Sequence, residues 1–252
     1  MATIRHLPKA PITEALIDLR VQAPSDVSVT TLEQAIENSE PFGYYKKSPI
    51  IRSSFGFSVN PEENPIARAT SGPTTIIGVR LHSEDEKYVA QFSIEGFTLS
   101  RLRPYESWAK LIEETQRLWS IYCQWIRPDR ISRVATRFIN NLQLPLKQGE
   151  NFEEFVTLLP TFPKEIPQEL AGFLQRYVSQ DPQSGATIIS THFLERFISG
   201  QTVPLILDID VFKESILPTD SAEVWIRLDQ FRELKNRFFF SFLTEKAVEL
   251  YL

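Results

Sequence analysis

Asp208 and Asp210 stand two apart in Leu205-Ile206-Leu207-Asp208-Ile209-Asp210-Val211, where apolar residues occupy the intervening positions. Residues two apart on a strand share a face, so the two carboxylates point together, as a divalent-metal site for phosphoryl or nucleotidyl transfer requires. Such a site also needs a third carboxylate, for which Glu195 is the candidate. Nucleotidyltransferases place a Gly-Ser element shortly upstream, whereas this chain has Ser199-Gly200. The competing reading makes Asp208 and Asp210 ion-pair partners of Arg133 or Arg137.

The arginines suggest a second chemistry. Charged or polar residues fall on alternate strand positions at Asp18 and Arg20, Arg52, Arg80 and His82, Gln91 and Glu95, Arg133 and Arg137, and His192. If helices cover one side of the sheet, these groups converge on the other. Guanidinium groups match carboxylate and phosphate bidentately. Arg80, Arg133, Arg137 and His192 are therefore the expected contacts for an anionic small molecule or nucleotide. The plainer alternative is a charged face that meets water.

Other chemistries lack their residues. His6, His82 and His192 have no zinc-ligand spacing. There is no phosphate loop, dinucleotide fingerprint or nucleophile elbow, and no cofactor is expected. Cys123 is the single cysteine, which rules out an intramolecular disulfide and fits a cytoplasmic protein. Its place beside Trp119 and Tyr122 marks it as a buried, unreactive thiol. The formal charge of -5 argues against general nucleic-acid binding, which needs clustered Lys and Arg. The N-terminus has no apolar leader segment, and no run approaches the ~20 apolar residues of a membrane span.

The elements that must position these residues centre on the stretch from Pro104 to Leu146. Trp108, Leu111, Ile112, Thr115, Leu118, Trp119, Tyr122 and Ile126 form one apolar stripe at helical spacing. Pro128 and Asp129 end that helix. A strand from Arg130 to Asn141 follows, with Val134, Thr136 and Phe138 on one side and Arg133 and Arg137 on the other. Earlier strands are expected at Ile12 to Val21, Arg52 to Val59, Thr75 to His82 and Lys87 to Leu99. A short helix runs to Ile36 from a cap at Thr30 or Thr31, and Asn60 to Pro73 reads as a proline-rich loop. In the second half, helices are expected at Phe152 to Leu158 and Gln168 to Val178, and strands at Ala186 to Phe197 and Val203 to Phe212, with a turn at Ser199-Gly200-Gln201. A closing helix runs from about Ser221 to Leu243, broken at Phe238-Phe239-Phe240.

This order predicts an α+β fold: an antiparallel sheet with long helices packed on one face, built as two fused ferredoxin-like halves. The halves are residues 1–129 and 130–252, closely packed or merged into one domain. Eighteen phenylalanines imply aromatic packing throughout the core. Aromatics beyond what one helix face buries, at Tyr44, Tyr45, Trp225 and Phe239, are candidate anchors for a partner interface.

The chain resembles a sporadically distributed bacterial and archaeal family of uncharacterised proteins of about this length. The likeness rests on Ala10-Pro11-Ile12-Thr13-Glu14-Ala15, on Phe97 to Trp108 with Ser100-Arg101-Leu102 and Pro104-Tyr105, and on Arg133 to Asn140. It continues in Leu207-Asp208-Ile209-Asp210 and Asn236-Arg237-Phe238-Phe239. Its most specific part is Arg137-Phe138-Ile139-Asn140, where the family commonly shows Tyr in place of Phe138. The resemblance implies no activity and no catalytic residue; its patchy spread points towards toxin–antitoxin or phage-defence settings. The expected function is that of a non-enzymatic cytoplasmic protein that binds and regulates or neutralises a partner, or self-associates. The alternatives are an anion binder on the charged face and a metal-dependent phosphoryl-transfer enzyme using Asp208 and Asp210.

Overall fold

A computed structural model describes residues 1–38, 42–45, 47–58, 68–146, 152–160, 172–194 and 202–252. Glu195, the Ser199-Gly200-Gln201 turn and residues 60–67 of the expected loop lie outside the described residues; the rest of that loop, 68–73, is strand, not loop. Among the described residues, nine strands form one antiparallel sheet: β1 (Ile12–Gln22), β2 (Ser48–Ser58), β3 (Arg68–His82), β4 (Tyr88–Ser93), β5 (Gly96–Leu102), β6 (Arg130–Leu144), β7 (Phe173–Gln180), β8 (Thr187–Leu194) and β9 (Val203–Leu217). Their order is β2-β3-β4-β5-β1-β6-β9-β8-β7. Helices are α1 (Val29–Glu37), α2 (Trp108–Ile126), α3 (Glu223–Phe242) and α4 (Glu245–Glu249). The class is α+β with an antiparallel sheet, as the element order predicts.

The pairing within each half departs from the ferredoxin-like pattern. A βαβ crossover leaves its two strands parallel, yet every ladder among the described residues is antiparallel. Each half instead begins with a long strand (β1 or β6), and a meander, of four strands in the first half and three in the second, returns its last member (β5 or β9) beside that strand. A long helix then follows. The two leading strands pair with each other, so the sheet runs unbroken across the boundary at residue 130.

Local chemistry fixes the helices. Ser107 caps α2, its hydroxyl accepting from the Lys110 N–H at 3.3 Å, and Ser28, not Thr30 or Thr31, caps α1. Helix α2 ends with Arg127 in the left-handed region, φ 50°, its N–H donated to the Cys123 carbonyl. Helix α3 runs without a break through the three phenylalanines to Phe242. Its continuity follows from burial of Phe239 and Phe240, which removes any reason for the chain to leave the helix there.

Three other sequence expectations are corrected. Gln168 to Val178 reads as a helix, but Phe173–Gln180 is a strand paired with β8, at the sheet edge among the described residues. Lys87 to Leu99 reads as one strand, but the chain turns at Ile94-Glu95 and becomes β4 and β5. Gly96 makes that turn possible: a Cβ there would lie 2.4 Å from the Leu19 carbonyl oxygen of the neighbouring strand. Phe152–Glu154 is only a single 3-10 turn.

Phe138 shows how the core is assembled. Its ring meets Tyr105 at 5.8 Å and Trp108, the first residue of α2, at 6.2 Å between centroids, while Lys235 of α3 lies over the same ring. Phe92, Phe97, Trp119 and Tyr122 form a second aromatic group under α2, closed by Tyr122 Oη donating to the Ser93 carbonyl at 2.9 Å. No helix of the described residues is long and apolar enough to cross a membrane.

Candidate functional site

Strand alternation places Asp18, Arg20, Arg133, Arg137, Asp208 and Asp210 on the side of the central strands opposite Phe138. There they close on one another. Arg133 Nη1 donates to Asp18 Oδ2 at 2.8 Å and Nη2 to Asp210 Oδ2 at 3.4 Å, with its guanidinium 4.3 Å from the Phe212 ring centroid. Arg137 holds Asp208 bidentately, Nε to Oδ1 at 2.8 Å and Nη2 to Oδ2 at 2.5 Å. Asp18 also accepts from Arg20 and from the Thr98 hydroxyl.

The arrangement is three arginines against three aspartates, with no net charge. The Asp208 contact holds the Arg137 guanidinium protonated above its ordinary range. Burial pushes the Asp210 carboxyl up, opposed by Arg133 and Arg137. An incoming anion would have to displace a carboxylate already bonded to each arginine. A divalent metal would have to displace the arginines, and no group of three metal-ligating side chains occurs among the described residues. Chemically, the cluster ties four adjacent strands, β5, β1, β6 and β9, in register.

The structure brings together Arg133, Arg137, Asp208 and Asp210, but not Arg80 or His192. Arg80 shares the face in a cross-strand row running Arg80, Gln91, Thr98, Asp18, three strands from the cluster and exposed. His192 points to the opposite side, where it is 3% exposed. Its ring lies 4.2 Å from that of Phe242, and Nε2 shares a 2.7 Å hydrogen bond with Ser190 Oγ. Burial pushes this imidazole down to about 4, so at neutral pH it is uncharged and carries no anion.

The expected aromatic anchors divide. Tyr44 is buried, stacked on Phe42 and donating to Glu114 Oε1 at 2.9 Å. Phe239 is buried against Phe240. Both belong to the core, and Trp225 is half-buried against it. Tyr45 alone stands exposed. Cys123 is half-buried, and burial pushes its thiol up to about 12, as expected of an unreactive cysteine.

Two features escape the sequence reading. The first is an apolar extension of the charged face. Leu174, Phe193 and Ile206 form one row across β7, β8 and β9, and Val178 and Ile189 another, beside Asp210. Leu174 is 67% and Val178 58% exposed. The β-formers Phe173, Tyr177 and Val178 are the signal that could have revealed the strand, although no period-two alternation accompanies them. The second is Lys235, a lone cation on the buried stripe of α3, at i+4 from Phe231 and i-4 from Phe239.

No protein-family model and no curated protein matches this chain.

Proposed function

We propose that the protein is a non-enzymatic binding module that recognises a partner protein through the β7 edge and the apolar end of the open sheet face. The supporting observation is the exposed pair Leu174 and Val178 on an eight-residue edge strand. An edge strand offers unpaired N–H and C=O groups along one side, and an added strand gains main-chain hydrogen bonds from it. Soluble proteins blunt such edges with charge or proline. Along β7 the only charged residue is Arg176 and there is no proline. The partner chemistry that fits is an extended segment with apolar residues at every second position, seated over Leu174 and Val178, with a carboxylate beside Arg176.

In this reading the ion-paired cluster stiffens the platform and the helices cover the opposite face. The role is to regulate or neutralise the partner in the cytoplasm. A toxin–antitoxin or phage-defence setting belongs to the proposal through the family resemblance alone. The test is native mass spectrometry of protein purified from its own host, repeated with Val178→Lys and Leu174→Lys. A partner held by the wild type and lost from both variants, with thermal unfolding unchanged, supports the proposal. Homodimers lost in the same variants would replace the partner by a second copy. A bare monomer in every sample refutes the reading.

A further inference from the structure

Lys235 is 7% exposed, with Nζ 3.9 Å from the Phe138 ring centroid, and no carboxylate oxygen lies within ion-pair distance among the described residues. It lines a half-open cavity of about 480 Å³ between α3, the loop before α2 and the N-terminal segment, with Tyr105, Trp108, Phe138, Phe239 and Phe240 among its walls. That volume lies within the range of small-molecule sites, and mostly apolar walls with a few polar groups are their usual composition.

The wall formed by the N-terminal segment is fixed in place. The Ala2 N–H donates to the Phe240 carbonyl at 3.0 Å, Lys9 N–H to the Tyr251 carbonyl at 3.1 Å, and Thr3 N–H to Glu245 Oε1 at 2.6 Å. Ala10, Ile12, Phe138, Asn236 and Phe239 also meet around this space, with the stretch from Tyr105 to Trp108.

The charges facing Lys235 are already matched. On α3, Arg232 and Glu233 pair at 3.3 Å. On the loop before α2, Glu106 is held by Arg101 at 2.6 Å and by Lys110. On the N-terminal segment, Arg5 pairs with Glu245 at 2.5 Å; His6 is the remaining titratable group there. Protonated Lys235 is thus the one cation of the cavity with no counter-charge among the described residues. Its burial, with Arg232 adding and Glu233 opposing, brings the ammonium down to about 7.

We infer that this cavity binds a small monocarboxylate with a flat apolar body, its carboxylate paired with the Lys235 ammonium and its body held among Tyr105, Trp108 and Phe138. A single available cation suits one negative charge. A phosphate group would call for several donors, and the neighbouring arginines are engaged. The aromatic walls suit a planar body, for which offset or edge-on ring contacts are favourable.

Benzoate is the probe, titrated by calorimetry against the whole chain at pH 6 and pH 9, with benzamide as its neutral analogue. Because the carboxylate binds the protonated amine, affinity for benzoate is expected to fall by more than about tenfold between those pH values, while benzamide is indifferent to pH. Lys235→Met is expected to lose the preference for benzoate over benzamide, and His6→Gln to keep the pH dependence. The wild-type titration stands alone if Lys235→Met does not fold. Equal benzoate affinity at both pH values, unchanged binding to Lys235→Met, loss of the pH dependence in His6→Gln, or no binding at millimolar benzoate would each overturn the inference.

Discussion

Two groups of charges lie on opposite sides of the same central strands and are handled in opposite ways. On the side opposite Phe138, Arg133 and Arg137 are each bonded to aspartates, and the six-residue cluster sums to zero. On the helix side, Lys235 is almost wholly enclosed and has an aromatic ring in place of a counter-ion. A charged group whose partners are all in place explains itself: it is fastened. A buried cation without a partner costs stability, so its presence asks for a reason outside the folding of the chain. Arginine abundance on strands drew attention to the first set, yet the second has the chemistry that remains unspent.

The largest expected effect tests the cost side of that contrast. Lys235 in the folded protein binds a proton less tightly than in the unfolded chain, being lowered from 10.5 to about 7. Below pH 7 both states are protonated and the full penalty is present. Between pH 7 and 10.5 only the unfolded state is protonated, so the penalty fades as pH rises. Lys235→Met should therefore be more stable than wild type at pH 6, by about 4 kcal/mol, with the gap gone near pH 10.5. Urea unfolding at both pH values measures it. A variant less stable than wild type at pH 6 would show that the ammonium is a structural asset, and the contrast would collapse.

Asp18→Ala examines the other side. It leaves Arg133 with Asp210 alone, at 3.4 Å, and strands the Thr98 hydroxyl. The expected loss is about 3 kcal/mol, near the lower end for breaking a buried pair because Arg133 retains one partner and some solvent. Chemical denaturation provides the number. A loss under about 0.5 kcal/mol, the range of ordinary surface changes, would mean the cluster fastens nothing.

His192 sits between the two extremes, buried and hydrogen-bonded but held uncharged. Its folded-state value of about 4 against 6.5 means that acidification protonates the unfolded chain first. Stability should fall as pH drops from 6.5 to 4, by about 3 kcal/mol from this residue, and His192→Gln should remove that portion of the acid slope. An identical slope in the variant would assign the acid sensitivity elsewhere.

What could be read in the chain follows from how strongly one side of each element is buried. Strands β1, β6 and β9 could be read because Ile17, Leu19, Val134, Phe138, Leu207 and Ile209 are enclosed while Arg20, Arg133, Arg137 and Asp208 are less so, and both their positions and the Arg–Asp pairing were legible. Strand β7 was not, because an edge strand exposed on both faces has no burial contrast to write into its sequence. The β4–β5 turn carried only Gly96 as punctuation. Tyr44 looked like a surface anchor because its cover comes from Phe42 and from Glu114 of α2, 70 residues away. The cavity at Lys235 needed three distant segments to meet, and periodicity within one helix cannot show what faces it.

The smallest effect is the most discriminating for the charged cluster. Arg137 and Asp208 form its best-aligned pair, with two parallel hydrogen bonds, yet the Arg137 side chain is 43% exposed, so water screens much of the attraction. Exposed pairs couple by at most about 1 kcal/mol. A double-mutant cycle with Arg137→Gln and Asp208→Asn should return about 1 kcal/mol, less at high salt. Because this pair carries the most exposed guanidinium bonded to Asp208 or Asp210, it is also the place where an anion would most readily enter. If the coupling is near zero while added phosphate protects the wild type but not Arg137→Gln against unfolding, the arginine is held in reserve for a ligand rather than fastened. In that event the arginine face, and not Lys235, would hold the uncommitted charge.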